Sequence, residues 1–423
     1  MAKPSKKRLN INATQTKYLL SKLGIDNIEK INITILNQLK ENLKELTDSR
    51  QKYKTTFKIW DIVICVILAD FSDSANEWDD IVDFVEAKYD FLKSFLQMTG
   101  GIPSAQTYER VMSLINHYEL EKILNNFFFN FFVKAFLNKD ILNFDGRVSR
   151  NSSRKETEYS KYEVRPLNVL SAYSNNYGIC VASEMIDEKS NEIHAIPDLI
   201  ERLNIKDVIV TWDALNTQKA NVKCVIDNFG DYVVPIKGNQ GNFYDNLKLY
   251  FDDKKLEQIE AGNTQSSYLK EVEKSHSSLI TYEYFQTSDI NWYFDKDNWA
   301  DLKTISLVKK TIVQNGNTTI ECRYYISSLN VNIREFSNAI RSHWSVENKL
   351  HWHLDFTFRE DNNRTANKNA LMNLQLINKF CLSILEKVKP FYNNISLKRI
   401  RNIISLDFEK EFINLICYFM LAS

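Results

Sequence analysis

The spacing of apolar residues divides the chain into a helical part and a strand-rich part. Before residue 140, apolar residues recur at steps of three and four, as in Ile28, Ile31, Ile35, Leu39, Leu43 and Leu46. This spacing places them on one face of an amphipathic helix. We predict a second, buried helix from Asp61 to Phe71, a third that is N-capped by Ser104, and a fourth through the phenylalanine-rich stretch from Phe127 to Phe136.

From Ile141 onward, short runs of β-branched and aromatic residues predict strands. They cover Ile141–Phe144, Leu167–Ser174, Ile179–Met185, Val208–Trp212 and Tyr232–Ile236. Helical patterns separate the later strands, and this order is typical of a mixed α/β sheet. Residues 265–330 are again β-rich, with polar turns, and the chain returns to helix from Ile333. We therefore predict an α/β fold that a β-rich insertion interrupts before the last helices.

The chain is predicted to have five regions. They are a basic arm (residues 1–25), a helical domain (26–139), the first part of the α/β core (140–262), a β-rich insertion (263–330), and the last core helices with a basic C-terminal region (331–423). The longest purely apolar run, Ile62–Ala69, is much shorter than the ~20 residues of a membrane span. The start of the chain lacks the apolar segment of a secretory signal. These features predict a cytoplasmic protein with no membrane partner.

The composition is that of a globular protein, and its charge is balanced. Apolar residues make up 44% and charged residues 26%, which excludes a disordered or collagen-like chain. The 54 basic and 54 acidic residues cancel, although phosphate neutralisation needs Lys and Arg. The charges are unevenly placed: residues 1–25 and 387–401 carry six and five basic residues without an acid, and residues 70–90 carry eight acids. Such runs also occur on ordinary solvated helices.

Three acidic residues are candidates for a metal site. Asp145 and Asp213 each follow an apolar strand, and strand ends are where α/β proteins bind ligands. Glu347 shares a predicted helix face with Trp344 and His351. Carboxylate oxygens suit Mg²⁺ or Mn²⁺, and a pair of such ions is a known arrangement for phosphoryl displacement. A single aspartate at a strand end is also a common helix cap or turn residue.

Two further patterns have both a chemical and a structural interpretation. His343, His351 and His353 are candidate zinc ligands, but residues two apart on a helix point to different faces and no cysteine is near. Lys237 and the Gly and Asn residues that follow it are a candidate phosphate-binding loop. The same residues are common in turns.

Several long blocks of the chain carry a family resemblance. They are Phe144–Arg147, Lys189–Pro197, Thr211–Lys219, Asp231–Gln240, Tyr324–Leu329 and His343–Asp361. In this order they resemble the bacterial insertion-sequence transposases of the DDE type, in the branch related to the H-repeat-associated proteins. Ile102–Val111 is similar to the helical domain associated with that family, and the resemblance covers roughly residues 40–385. Long blocks in a fixed order are far more specific than one motif.

The resemblance implies a ribonuclease-H-like catalytic core, interrupted by the β-rich insertion and preceded by an all-helical domain. It implies that Asp145, Asp213 and Glu347 are the catalytic and metal-binding triad. The implied reaction is DNA cleavage at element ends with Mg²⁺ or Mn²⁺, using two ions, followed by strand transfer into target DNA. The implied partners are double-stranded DNA, at the terminal inverted repeats and the target, and a second copy in a homodimer. The implied location is the nucleoid in the bacterial cytoplasm.

The resemblance and the residue types together predict eight DNA contacts. They are Arg147, Lys237, Asn239, Gln240, Arg341, Lys349, His351 and Arg364. Arg147 stands where the family usually has Lys. Asp355 and Asp361 are predicted to support the metal ligands or to cap the helix end, and Trp292 or Trp299 to stack on a flipped base or to be buried in the insertion.

Two other functions use the same residues. One is a DNA-binding protein that derives from a transposase and no longer transposes, which the neutral charge favours. The other is a metal-dependent nuclease that cuts DNA without joining it, because hydrolysis and strand transfer use the same metal ions.

Overall fold

The computed structural model of the protein describes residues 11–51, 55–130, 140–153, 165–186, 192–275 and 278–422. Residues 1–10 of the predicted basic arm and residues 131–136 of the predicted phenylalanine-rich helix lie outside this set. Before the first strand, the described residues form seven α-helices: α1 (Ala13–Leu23), α2 (Ile31–Leu43), α3 (Ile59–Phe71), α4 (Trp78–Ala87), α5 (Tyr89–Lys93), α6 (Ala105–Leu114) and α7 (His117–Phe129).

The first helices form where the sequence predicts them because their apolar faces are buried. In α2, the side chains of Ile31, Ile35, Leu39 and Leu43 are all at most 3% exposed. Helix α3 is buried along nearly its whole length. Helix α6 begins after Ser104, whose hydroxyl accepts a hydrogen bond from the backbone amide three residues later and so satisfies one of the free amides of the first turn. The predictions for these three helices are confirmed.

Nine strands of the described residues form one mixed sheet in the order β3-β2-β1-β4-β5-β9-β8-β7-β6. They are β1 (Ile141–Ser149), β2 (Leu167–Ser174), β3 (Ile179–Ile186), β4 (Ile209–Thr211), β5 (Asp231–Ile236), β6 (Ser266–Ser275), β7 (Ser278–Thr287), β8 (Thr304–Gln314) and β9 (Asn317–Ser327). Strand β4 lies parallel to β1 and β5, and the other neighbouring strands are antiparallel. The predicted α/β class, with a mixed sheet and a helical N-terminal region, is confirmed.

Strands β6–β9 lengthen the same sheet and do not form a sheet of their own. Strand β9 pairs with β5 in antiparallel register, from Val233 opposite Ser327 to Ile236 opposite Tyr324. Strands β8 and β9 are joined by Asn315-Gly316, whose φ angles of +51° and +79° suit a two-residue hairpin turn. The residues predicted as a β-rich insertion therefore extend the sheet from the edge of β5.

The remaining helices surround the sheet and join it to the N-terminal helices. They are α8 (Glu192–Arg202), α9 (Lys219–Asp227), α10 (Asn242–Tyr250), α11 (Asp253–Glu260), α12 (Ile333–Val346), α13 (Lys368–Val388), α14 (Leu397–Leu406) and α15 (Phe408–Ala422). Helix α13 has 21 residues, most of them buried, and packs against α3, α6, α7 and β3. The core that results is continuous from Leu19 to Met420. No helix in the described residues is long and apolar enough to cross a membrane.

The basic segment 387–401 and the acidic segment 70–90 meet inside the fold at Arg401. Its side chain is 1% exposed, and its guanidinium lies 2.9 Å from a carboxylate oxygen of Asp70 and 2.9 Å from one of Asp73. It also donates to the backbone carbonyl of Thr357. Arg401 therefore neutralises part of the acidic segment within the core and adds nothing to a basic surface.

Candidate functional site

The two candidate aspartates each lie two residues after a pair of neighbouring residues on β1 and β4. Asn143 of β1 is paired with Thr211 of β4 in the parallel register. Asp145 follows Asn143 by two residues inside β1, and Asp213 follows Thr211 by two residues, just beyond the end of β4. The prediction that Asp145 ends its strand is therefore wrong, because β1 continues past it to Ser149 while it stays paired with β2, whereas Asp213 does follow the end of its strand.

Helix α12 is fixed to this face by a buried hydrogen-bond network. Asn143 donates its side-chain amide to the Ser342 hydroxyl at 2.8 Å. The Thr211 hydroxyl donates to the side-chain oxygen Oδ1 of Asn143 at 2.8 Å, and the same hydroxyl lies 3.1 Å from His343 Nδ1. Desolvation lowers the pKa of His343 to about 4, so the ring is neutral near pH 7. The network holds the end of α12, and Glu347 directly after it, over β1.

Sequence reasoning did not identify Asn143, Thr211 or Ser342 as part of the site. A signal was present, because each aspartate is preceded at the i−2 position by a polar residue within an otherwise apolar strand. A buried polar side chain in a strand needs a hydrogen-bond partner. Such a residue next to a candidate ligand on the same face therefore indicates a structure that supports the site.

The helix widens into a π-helix from Glu347 to His351, and again from His353 to Thr357. Single π-helical turns are common at functional sites. Here the first one brings Glu347 and His351 to Asp145: one ligand atom from each of these three residues lies within 4.8 Å of the others. The Nε2 atom of His351 is 3.6 Å from Asp145 Oδ2. These three residues are the candidate metal group.

The members of the candidate metal group differ in exposure. His351 is 6% exposed, whereas Glu347 is exposed and Asp145 is partly buried. Desolvation, helped by the nearby charges of Arg147 and Lys379, lowers the pKa of His351 to about 3. The imidazole is therefore neutral and keeps a lone pair for a metal ion or for orienting a neighbour. The group opens to solvent on its Glu347 side.

Asp213 is not a member of the candidate metal group in this structure. It begins the loop between β4 and α9, and its Oδ1 accepts the backbone amide of Asn216 at 3.1 Å. This loop is held from the neighbouring segment: Asn239 donates to the Ala214 carbonyl at 2.8 Å, and Gln240 donates to the Thr217 carbonyl. In this structure Asn239 and Gln240 therefore form hydrogen bonds with the loop that follows Asp213.

A cavity of about 220 Å³ lies beside Asp213, between β5, β9, α10 and α12. Its lining includes Lys237, which is exposed, and aromatic side chains such as Tyr244 and Tyr324. Trp344 also lines it, with the Arg323 guanidinium 5.1 Å from the indole centroid. Trp344 therefore packs towards β7 and β9. It lies away from the candidate metal group, although the sequence predicts that it shares a helix face with Glu347 and His351.

Arg147 is enclosed by carboxylates from the segment after Glu347. Its guanidinium is ion-paired with Asp355 and Glu360, and it lies 3.5 Å from Asp361. These charges raise its pKa despite its burial. Asp355 and Asp361 therefore bind the arginine of β1 that lies two residues after Asp145. The predicted contact of Arg147 with DNA stays a prediction, and in this structure the side chain connects two parts of the site.

Of the other predicted DNA contacts, Arg341, Lys349 and Arg364 lie at or near the surface, whereas His351 is buried. Lys349 is exposed and donates to the Asn175 side chain at 3.2 Å. Arg341 is ion-paired with Glu273 and lies 4.7 Å from the centre of the Tyr282 ring. Arg364 is exposed. Their roles in DNA binding stay predictions.

The structure distinguishes between the alternative roles predicted for the histidines and the tryptophans. His353 Nε2 lies 3.3 Å from Glu386 and His343 contacts Thr211, so of the three candidate zinc ligands only His351 belongs to the candidate metal group. Trp299 is 3% exposed, which fits the predicted burial in the insertion. Trp292 is 37% exposed and stacks on Tyr250.

Comparison with known proteins agrees with the resemblance seen in the sequence. The family described as "Transposase DDE domain" matches residues 139–384, and the family described as "DDE_Tnp_1-associated" matches residues 40–128. The H repeat-associated protein YhhI of Escherichia coli K12, named as a candidate transposase, is 33% identical over 84% of this chain and 92% of its own length. YbfL of the same organism is 33% identical over the same shares.

Among solved structures, a piggyBac transposase synaptic complex with hairpin DNA aligns with 96% of this chain and 82% of its own. The TM-score is 0.35 and the identity 10%, too low to support an argument about fold or function. The family match covers more than half of the chain, and YhhI, aligned over 92% of its own length, is 33% identical over the aligned residues. The prediction made from the sequence blocks is confirmed: the chain belongs to the transposase DDE domain family, and its relatives include H-repeat-associated proteins.

Proposed function

We propose that the protein is a DNA transposase that cleaves DNA at the ends of an insertion element and joins those ends to target DNA. The proposed catalytic triad is Asp145, Asp213 and Glu347. The observation that carries the proposal is the convergence of Asp145, Glu347 and His351, whose ligand atoms lie within 4.8 Å of one another. Family membership supports the same role.

The donor set fits a divalent metal ion of the Mg²⁺ or Mn²⁺ type. Two carboxylates dominate the group, and carboxylate oxygens are the ligands that these ions prefer. Asp145 and Glu347 would hold one ion, and Asp213, two residues after the end of the neighbouring strand β4, would complete a site for two. Bound in this way, the ions would activate the attacking water or hydroxyl and stabilise the leaving oxygen of a phosphodiester.

The side chains around the carboxylates keep them in place. His351 is neutral and buried beneath Asp145, where it can act as a further ligand or fix the orientation of the carboxylate. Arg147 joins the strand of Asp145 to the segment after Glu347 through Asp355 and Glu360. The exposed side of Glu347 leaves room for a DNA phosphate to approach.

We propose a ribonuclease-H-like core and double-stranded DNA as the substrate. The antiparallel strands β1–β3, followed by the parallel strands β4 and β5, support this core. Lys237, Arg341, Lys349 and Arg364 are the proposed phosphate contacts at the surface. A homodimer that holds two element ends, acting at the nucleoid in the cytoplasm, completes the proposal.

The test is cleavage and strand transfer with the terminal repeats of the element that encodes the protein. With Mg²⁺ or Mn²⁺, we expect nicking at the repeat ends and joining of pre-cut ends to a target plasmid. Asp145→Asn, Asp213→Asn and Glu347→Gln should each abolish both reactions and leave repeat binding intact. Glu335→Gln, at the other end of α12, is the matched control and should retain activity.

Three outcomes would contradict parts of the proposal. Cleavage that persists in Asp213→Asn would remove Asp213 from the triad. Nicking without joining of pre-cut ends would favour the nuclease. Repeat binding with neither reaction in the unaltered protein would favour a DNA-binding protein that no longer transposes.

A further inference from the structure

Trp352 and Phe356 form an exposed aromatic pair directly after the candidate metal group. Their side chains are 46% and 54% exposed. The rings are stacked, with centroids 4.8 Å apart and 20° between their planes. Their neighbours His351 and Leu354 are buried, so the fold uses one side of this segment and leaves both large rings at the surface. Packing of the core therefore does not explain why these positions are aromatic.

One lysine lies against the aromatic pair, and another precedes the pair in the sequence. Lys398 places its ammonium 5.5 Å from the centre of the Phe356 ring, and it belongs to the basic segment 387–401. Lys349 is exposed and precedes Trp352 by three residues in the sequence. The basic segment, which the proposed triad does not use, thus meets the segment that carries Glu347.

We propose that Lys349, Trp352, Phe356 and Lys398 bind single-stranded DNA, and we call these four residues the aromatic surface. Unpaired bases stack on aromatic rings with little dependence on sequence, and adjacent cations neutralise the phosphates. Paired bases are covered by their neighbours in the duplex and gain little from the same rings.

The ligand follows from charge and position. The aromatic surface begins two residues after Glu347, so it adjoins the place where a strand would be cut. Its flanking groups are cations, which suit a phosphate backbone. The inference rests on the proposed function, because cleavage and joining of strands is what brings unpaired DNA to this place.

The test is the affinity of the full-length protein for a fluorescein-labelled oligothymidylate of fifteen nucleotides, measured by anisotropy. The buffer contains EDTA, so that metal binding and cleavage do not contribute. Trp352→Ala and Phe356→Ala should each weaken binding about 5- to 150-fold, the range expected for the loss of one stacked base. Trp352→Phe should retain most of the affinity. Binding of a blunt duplex of the same length should change less than twofold.

Two controls separate stacking from general effects. Phe229→Ala removes another exposed aromatic side chain, 75% exposed and placed after α9, and should leave the affinity unchanged. Lys398→Ala should make the negative slope of log affinity against log salt shallower by about 0.7, as expected for the loss of one phosphate contact on a single strand. The inference is overturned if Trp352→Ala binds the oligonucleotide normally, or if it loses duplex and single-strand binding to the same extent. A change in oligomeric state without a change in oligonucleotide affinity would assign the surface to a protein contact and overturn it as well.

The result can be told apart from a failure of the proposed function. Asp145→Asn should lose cleavage and keep its affinity for the oligonucleotide, whereas Trp352→Ala should lose that affinity. If cleavage depends on Asp145 but Trp352→Ala does not change oligonucleotide affinity, only the proposed role of the aromatic surface is refuted. Binding that depends on Trp352 in a protein without cleavage activity refutes only the transposase assignment.

Discussion

Arg147 of β1 and Glu360, which follows the π-helical segments, form a buried ion pair in which their side chains are 12% and 2% exposed. The second carboxylate oxygen of Glu360 accepts the side-chain amide of Asn378 from α13 at 2.8 Å. The pair thus joins the strand of Asp145 to the segment of Glu347, and α13 holds it from the other side. It connects three elements that are far apart in the sequence and meet at the candidate metal group.

Removing Arg147 should therefore destabilise the whole fold. Arg147→Ala leaves Glu360 and Asp355 without their cation, and an unpaired buried charge costs about 3–5 kcal/mol. The free energy of unfolding in urea measures the loss. Lys223→Ala, which removes an exposed i,i+4 ion pair with Asp227, is the control and should cost at most about 0.5 kcal/mol.

The double variant Arg147→Met with Glu360→Gln tests the cause. It should recover much of the stability, because it leaves fewer buried charges without a partner than Arg147→Ala does. Equal losses for Arg147→Ala and Lys223→Ala would show that the ion pair contributes nothing beyond a surface contact.

The network between Asn143, Thr211 and His343 should control metal affinity without touching the metal. Thr211→Val removes the hydroxyl that joins β4 to β1 and α12. Loss of a group that orients ligands typically costs 10- to 100-fold in affinity, and we expect a loss in this range for Mn²⁺ measured by calorimetry.

The matched control for this change is Thr304→Val. Thr304 is also buried, and its hydroxyl bonds Gln286 and the Leu329 carbonyl away from the candidate metal group. Both variants should lose about 1 kcal/mol of stability or somewhat more, and only Thr211→Val should bind Mn²⁺ more weakly. If the two lose Mn²⁺ affinity equally, the effect comes from stability and the network has no positioning role.

Much of the fold follows from local patterns in the sequence. The steps of three and four in α2 and the cap at Ser104 predict helices because burial of one face and satisfaction of the first amides are local requirements. Long-range pairing is different. The sequence shows that residues 265–330 form strands, but nothing local shows that β9 pairs with β5 and so makes one sheet of nine strands.

The candidate site also combines features that the sequence predicts with features that depend on long-range packing. Strand ends and family blocks identify Asp145, Asp213 and Glu347 as candidates. The π-helical turn that brings His351 to Asp145 depends on how the segment packs, and an α-helical pattern does not predict it. The environment of Arg147 was also not predictable from the sequence. The residue type alone does not distinguish an arginine that contacts phosphate from one that three carboxylates enclose.

Glu121 of α7 should make stability depend on pH. Burial raises its pKa to about 7, against the opposing charges of Arg202, whose guanidinium is 3.7 Å away, and Lys379. Between the ordinary value of 4.5 and about 7, the folded protein therefore binds a proton that the unfolded chain has released. The contribution of this residue to stability is then full below about pH 4.5 and falls as pH rises to 7, by an amount on the order of 3 kcal/mol.

Glu121→Gln removes the titrating group and should remove that part of the slope. The measurement is the free energy of unfolding in urea at pH values from 5 to 8, compared between the two proteins. The difference between them should grow in favour of Glu121→Gln as pH rises. A difference that stays constant over this range would contradict the raised pKa.

Asn239 offers a choice between contacting DNA, as the sequence predicts, and holding the loop after Asp213, as its hydrogen bond to the Ala214 carbonyl suggests. If it holds the loop, Asn239→Ala should lower the cleavage rate about 10-fold or more, because a misplaced carboxylate impairs the chemical step. The affinity for duplex repeats should stay within twofold. Lys237→Ala, on the same segment, should do the opposite. It should weaken repeat binding and make the negative slope of log affinity against log salt shallower by about 0.9. The cleavage rate on bound DNA should stay unchanged. Rate and affinity measured for both variants therefore separate the two roles, and a loss of affinity in Asn239→Ala that matches Lys237→Ala would assign Asn239 to DNA contact.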